Sequence, residues 1–169
     1  FIKFETPVLK LLLTEMKQQT VSPGRKGYEK HFLLGNLEYC VGVGGIHSVN
    51  KPEEIIPNTD EVLIDCDVAS LYPSMIIEHE FYPPHLGKEF LEVYTQIKNE
   101  RIEAKHNGNK IKNETLKLAL NGLSGNLQNE HNFCYSPFTV MQIRINGQLL
   151  LLMLAEQLIK VGATIKQAN

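Results

Sequence analysis

Asp67 closes an apolar run, Val62-Leu63-Ile64, and is followed closely by Ser70-Leu71-Tyr72-Pro73-Ser74 and the helix-like Met75-Ile76-Ile77-Glu78. A carboxylate at a strand end, beside a tight turn and a helix start, suits a hard cation that also holds phosphate oxygens. Further along, Lys98, Arg101 and Lys105 are spaced i, i+3, i+7, and Asn113, Lys117 and Asn121 are spaced i, i+4, i+8. Each set therefore lies on one helical face. Folded antiparallel, those two helices aim Arg101, Lys105 and Lys117 into one cleft. There three cations meet a triphosphate, Arg through bidentate bonds and Lys as point charges. A solvated basic face is the ordinary alternative for such residues.

The elements that must position these groups are legible as periodicities and caps. Thr6-Pro7 reads as an N-cap with Pro at the first helical position, opening an apolar stripe to about residue 19. Residues 22–27 read as a mobile loop, 37–43 as a strand ending in a Gly-rich turn, and 51–60 as a connector containing Pro52 and Pro57. Residues 61–67 read as a buried strand, whose alternation sets Cys66 opposite Asp67, and Pro73 opens a short helix to about residue 79. Helices are expected over 90–106 and 110–123. The link Asn107-Gly108-Asn109 between them implies a helical hairpin, and Gly122 and Gly125 are expected to end it. Ser136-Pro137 repeats the cap signature and opens a long helix to about residue 161, with Gly162 as its C-cap candidate. Residues 163–168 read as a further strand.

At 169 residues, with 43% hydrophobic and 21% charged residues, the composition is that of one ordinary globular domain. The longest uninterrupted apolar run, 149–155, falls far short of the roughly 20 residues that span a bilayer, and the N-terminus lacks a signal-peptide pattern. Cys40, Cys66 and Cys134 form neither a disulfide framework nor a zinc pattern in their spacing. They read as small core residues, and a reducing cytoplasm with no membrane is the expected setting. The net charge of −2 is not the footprint of a nucleic-acid binder, but its distribution is uneven. Residues 51–80 sum to −7 and residues 95–117 to +3. This fits metal ions on one wall of a cleft and phosphates on the other, or simply two solvated faces. The chain begins at Phe1 rather than Met and is expected to be an excised piece of a longer protein.

The string Asp67-Val68-Ala69-Ser70-Leu71-Tyr72-Pro73-Ser74 closely resembles the first catalytic motif of family B DNA polymerases, especially those of phages. Lys117 to Gly125, Lys-Leu-Ala-Leu-Asn-Gly-Leu-Ser-Gly, resembles the family's second motif. Arg101 and Lys105 match the basic pair on its other fingers helix. Ser124 stands where the family usually has an aromatic residue. Gly42-Val43-Gly44-Gly45 resembles loosely the template-contacting element before the first motif, with Gly in place of Tyr, and reads equally as a plain tight turn.

The resemblance implies an α/β (α+β) fold: part of a polymerase palm with an antiparallel sheet, plus a short helical-hairpin fingers subdomain. The implied segments are residues 1–36 leading into the palm, 37–87 as palm with the first motif, 88–125 as fingers and 126–169 as returning palm. Asp67 and the Val68 carbonyl are implied to hold Mg²⁺, two ions in the complete enzyme, with Asp67 catalytic. Ser70, Leu71 and Tyr72, with Arg101, Lys105, Lys117 and Asn121, are implied to bind the incoming dNTP, the Tyr72 ring excluding a 2′-hydroxyl. Gly44, Gly45, Gly122, Ser124 and Gly125 are implied to face primer–template DNA. The second essential carboxylate belongs to a third motif with the form [D/N/S]-T-D. No Asp follows Asp67, and residues 163–168 look like the strand that leads into that motif. An isolated fragment is therefore expected to be inactive. The competing readings are a nucleotide- or DNA-binding module without chemistry, and a structural domain.

Overall fold

The structure, a computed structural model, describes residues 1–21, 27–68 and 70–169. It is a mixed α/β fold with a three-stranded antiparallel sheet and five α-helices among the described residues. The chain divides into two compact units, Phe1–Ala69 with Gln148–Asn169, and Ser70–Gly147. Residues 22–26 of the expected loop lie outside the described residues.

The first unit holds helix α1 (Pro7–Lys17) and strands β1 (Glu29–Leu34), β2 (Leu37–Gly42) and β3 (Ile46–Ser48), in the order β1-β2-β3. β1 and β2 form a tight hairpin in which Leu34 pairs with Leu37. Gly35, at φ 62°, opens the two-residue turn, a conformation that glycine takes without steric cost. Of these strands only β2 is expected from the sequence; β1 and β3 are additional. Phe32, Leu34, Tyr39 and Val41 alternate onto the buried face, where Phe32 and Tyr39 stack. Leu9 and Leu12 of α1 are buried with them, since α1 packs on β1.

The second unit holds α2 (Leu71–Glu78), a single 3₁₀ turn (Pro84–Leu86), α3 (Glu89–His106) and α4 (Lys110–Asn126). The predicted helical hairpin is present. Asn109 caps α4, its side chain accepting from Lys112 N at 3.0 Å, and the buried Tyr94 hydroxyl donates to the Leu120 carbonyl at 3.0 Å. α4 continues through Gly122 and Gly125 to Asn126 rather than stopping there. Burial of Leu120 and Leu127 outweighs the roughly 1 kcal/mol that each helical glycine costs relative to alanine.

Helix α5 (Pro137–Lys160) supplies residues to both units. Ser136 caps it as expected, its hydroxyl accepting from Thr139 N. Its C-terminus closes at Gly162, φ 92°, with Gly162 N bonded to the Ile159 carbonyl and Ala163 N to the Leu158 carbonyl. By length and composition alone α5 could cross a membrane. Its buried residues include Thr139, Val140, Ile143, Leu149, Leu152 and Ala155 together with the polar Gln148 and Glu156.

Two expected strands are absent. Residues 61–68 are irregular and exposed, with Val62, Leu63 and Ile64 at 82%, 56% and 72% exposure. A strand forms when a neighbour satisfies its backbone groups, and no described residue hydrogen-bonds to 62–67. Residues 163–168 are irregular as well. They nevertheless lie along β3: Ser48 N donates to the Ala168 carbonyl at 2.8 Å, and Asn50 Nδ2 donates to the Lys166 carbonyl at 2.6 Å.

Thr6 sits at the N-cap of α1, but its hydroxyl does not cap the helix. Instead the buried Glu156 carboxylate accepts from Glu5 N, from Thr6 N at 2.7 Å and from Thr6 Oγ1 at 2.7 Å. Burial alone would raise this carboxyl's pKa; the Thr6 and Glu5 bonds outweigh it and hold the value below normal. A lowered native pKa makes the carboxylate stabilising above its unfolded value, and that contribution is lost as pH falls through the native value. Glu156→Ala is expected to cost about 1–2 kcal/mol at pH 7 in urea unfolding, by leaving part-buried donors of Glu5 and Thr6 without their acceptor. Glu156→Gln is expected to flatten the loss of stability below about pH 4.

Candidate functional site: the start of helix α2

Ser70 precedes α2 in the left-handed conformation, φ 54° and ψ 45°, which costs a non-glycine residue about 1–2 kcal/mol. Such strain persists only where surroundings hold it. Here Arg101 reaches from α3, and its Nη1 donates to Ser70 Oγ at 2.7 Å. Three residues earlier on the same helix, Lys98 Nζ donates to Ser74 Oγ at 3.3 Å. Two cations thus meet the first turn of α2, the helix end that already carries partial positive charge. Pro73 has no N–H, and the first intrahelical bond runs from Ser74 N to the Ser70 carbonyl, so the N–H groups of Leu71 and Tyr72 have no partner within the helix. Arg101 Nε is also buried without an acceptor among the described residues. The local surplus is of donors and positive charge, which suits phosphate oxygens.

The α3 face was predicted from spacing, but the partner of Arg101 at α2 is Lys98 rather than Lys105. Lys105 is exposed and makes no hydrogen bond or ion pair among the described residues. Both lysines follow from the same i, i+3, i+7 pattern, and only the position of α2 chooses between them. Ser74, the second hydroxyl, lies in the motif string, and only the packing of α3 on α2 gives it a cationic partner.

Tyr72 is half-exposed, and one ring edge lies where a side chain on Gly147 would touch it. Lys117 is exposed on α4 and pairs with Glu114 one turn back at 3.8 Å. Asn121 is exposed, and its carbonyl accepts from Ser124 Oγ at 2.8 Å. Asp67 and Val68 belong to the first unit and are exposed. The Asp67 carboxylate makes no hydrogen bond or ion pair among the described residues. Gly44 and Gly45 form the link between β2 and β3, with Gly45 at φ 154°.

No protein-family model matches the chain, and no curated protein or solved structure matches it either.

Gly122 and Gly125 lie within α4. A methyl group added at either would meet, beyond its chain neighbours and its own helix backbone, no described atom within 4 Å. The helix thus gives up propensity at two positions where its own packing does not require it. Gly122→Ala is expected to raise stability by about 0.5–1 kcal/mol, read as a higher urea midpoint at unchanged m-value. A loss of stability would mean that the glycine serves the fold itself.

Proposed function

We propose that this chain carries the first metal-binding carboxylate and the nucleotide-binding wall of a phage-like family B DNA polymerase. The parent enzyme joins deoxynucleotidyl groups to a primer 3′-end under template direction, in a bacterial or phage-infected cytoplasm. The motif strings at 67–74 and 117–125 motivate the reading. The observation that carries it is the placement of Arg101 and Lys98 on the Ser70 and Ser74 hydroxyls at the strained start of α2.

In this reading the Leu71 and Tyr72 N–H groups hold phosphate oxygens, with Arg101 and Lys98 neutralising them. Lys105, Lys117 and Asn121 add contacts from the helical hairpin. The Tyr72 ring lies under the sugar and rejects a 2′-hydroxyl. Gly44, Gly45, Gly122, Ser124 and Gly125 face primer–template DNA. The Asp67 carboxylate is exposed and unengaged among the described residues, and the Val68 carbonyl is next in the chain. These hard oxygen donors fit Mg²⁺, which takes one or two carboxylates together with substrate phosphates. When bound, two such ions activate the primer hydroxyl and stabilise the leaving pyrophosphate.

A non-catalytic nucleotide- or DNA-binding module is the second reading, favoured by Ser124 in place of an aromatic residue and by the acidic net charge. The two differ in what the 169 residues do when joined to a third-motif sequence. The chain alone is expected to bind Mg²⁺·dATP weakly and to extend no primer. Arg101→Ala should weaken dATP binding about 10–100-fold in calorimetric titration, the range for a lost charged hydrogen bond. Affinity unchanged in both Arg101→Ala and Lys98→Ala would overturn the phosphate assignment. Joined to a third-motif segment, the chain should gain primer extension that Asp67→Ala abolishes. Extension unaffected by Asp67→Ala would remove the carboxylate from the chemistry, and no extension at all would favour the binding module.

A further inference from the structure

The outward face of the sheet carries a second group of residues that none of the chemistry above uses. In the β1–β2 register His31 lies opposite Cys40, and in the β2–β3 register Cys40 lies opposite His47. Directly opposed residues share a face, so His31, Cys40 and His47 form a row across all three strands. Glu29, two residues before His31, is on that face, and so is Glu38, two residues before Cys40. A carboxylate oxygen of Glu29, a ring nitrogen of His31 and the Cys40 sulfur lie within 4.8 Å of one another. Glu29 and His31 are exposed while Cys40 is buried. The thiol therefore sits at the floor of the cluster, with carboxylate and imidazole towards solvent.

The contacts of His31 sort the donors by role. Its Nδ1 lies 2.9 Å from Glu38 Oε1. A carboxylate only accepts, so Nδ1 carries the proton, which in neutral imidazole leaves the lone pair on Nε2. Nε2 lies 3.6 Å from Glu29 Oε1, too long for a good hydrogen bond. Two ligands on a tetrahedral ion with bonds of about 2.0–2.2 Å are separated by about 3.4 Å, close to that spacing. A histidine that gives one N–H to a carboxylate and turns its other nitrogen to a cation is the usual outer-sphere arrangement of zinc sites.

We propose that this face binds one borderline-soft divalent cation, Zn²⁺ or a similar first-row ion, through the Glu29 carboxylate, His31 Nε2 and the Cys40 thiolate, with Glu38 fixing the His31 ring. Thiolate and imidazole select such ions over Mg²⁺, so the site is chemically separate from the hard oxygen donors at Asp67. The ion joins β1 to β2 across the hairpin and braces a sheet of only three strands. A plain surface ion pair of protonated His31 with two glutamates gives no part to the thiol beneath it.

The test is titration of the purified chain with Co²⁺ under reducing conditions, alongside metal analysis after dialysis against Zn²⁺. One equivalent should bind, with a thiolate-to-cobalt charge-transfer band. That band should vanish in Cys40→Ser and persist in Cys66→Ser and Cys134→Ser. His31→Asn, at an exposed position, should weaken Zn²⁺ binding at least tenfold with an unchanged circular-dichroism spectrum. Glu38→Gln should weaken it about 10–100-fold, as loss of an outer-sphere carboxylate does. Binding well below one equivalent overturns the proposal, as does a band that survives Cys40→Ser or an affinity indifferent to His31→Asn. These outcomes are independent of dATP and DNA binding.

Discussion

A buried carboxylate without a cation holds the first unit together. Glu156 is 1% exposed, and no cation lies within ion-pair distance of it among the described residues. Desolvating such a charge is costly unless donors replace the lost water. The donors here are the Glu5 and Thr6 N–H groups and the Thr6 hydroxyl, at the helix end where a negative charge is most favoured. Gln148, Leu152 and Glu156 are spaced i, i+4, i+8 and are all buried on one stripe of α5. At the other end of that stripe the Gln148 amide acts like a short piece of strand, accepting from Gly42 N at 3.1 Å and donating to the Gly42 carbonyl at 2.7 Å. One helical stripe thus fastens the sheet by an amide and α1 by a carboxylate, with leucine between. The exposed Lys160–Glu5 pair, at 2.6 Å, adds little beyond this.

In the second unit the constraint is geometric. The helical hairpin, closed by Asn109 and tied by Tyr94, fixes the direction in which α3 offers its cations. α2 packs against both α3 and α4, so Arg101 and Lys98 reach its first turn and Lys105 does not. Strain at Ser70, cations at Ser70 and Ser74 and idle N–H groups then coincide at one helix end. Each is ordinary alone, and their coincidence concentrates donors and positive charge at one helix end.

The legible features of the sequence were those written in local chemistry. Asn107-Gly108-Asn109 and the flanking periodicity located the hairpin, and Ser136-Pro137 and Gly162 bracketed α5, because caps and turns act over three or four residues. What failed depended on partners far along the chain. Residues 62–67 have strand composition but no hydrogen-bonding neighbour among the described residues. β1 reads Glu-Lys-His-Phe-Leu-Leu, and its alternation shows only once β2 is known to lie opposite. Thr6 was recognised as a cap position, yet its hydroxyl is claimed by a carboxylate 150 residues away. The i, i+3, i+7 face that holds Lys98, Arg101 and Lys105 is written in spacing, whereas which lysine of that face reaches α2, and that Cys40 lies between two histidines, depends on tertiary packing and register.

The exposed run Val62-Leu63-Ile64 has a colloidal consequence. A β-prone, unpaired apolar segment is a template for pairing with another copy of itself, the first step towards aggregation. It is flanked by Asp60 and Glu61 on one side and by Asp65 and Asp67 on the other. Like charges stacked in register repel, so these carboxylates act as gatekeepers against self-assembly. Such a gatekeeping position for Asp67 follows from charge alone and asks nothing of any metal.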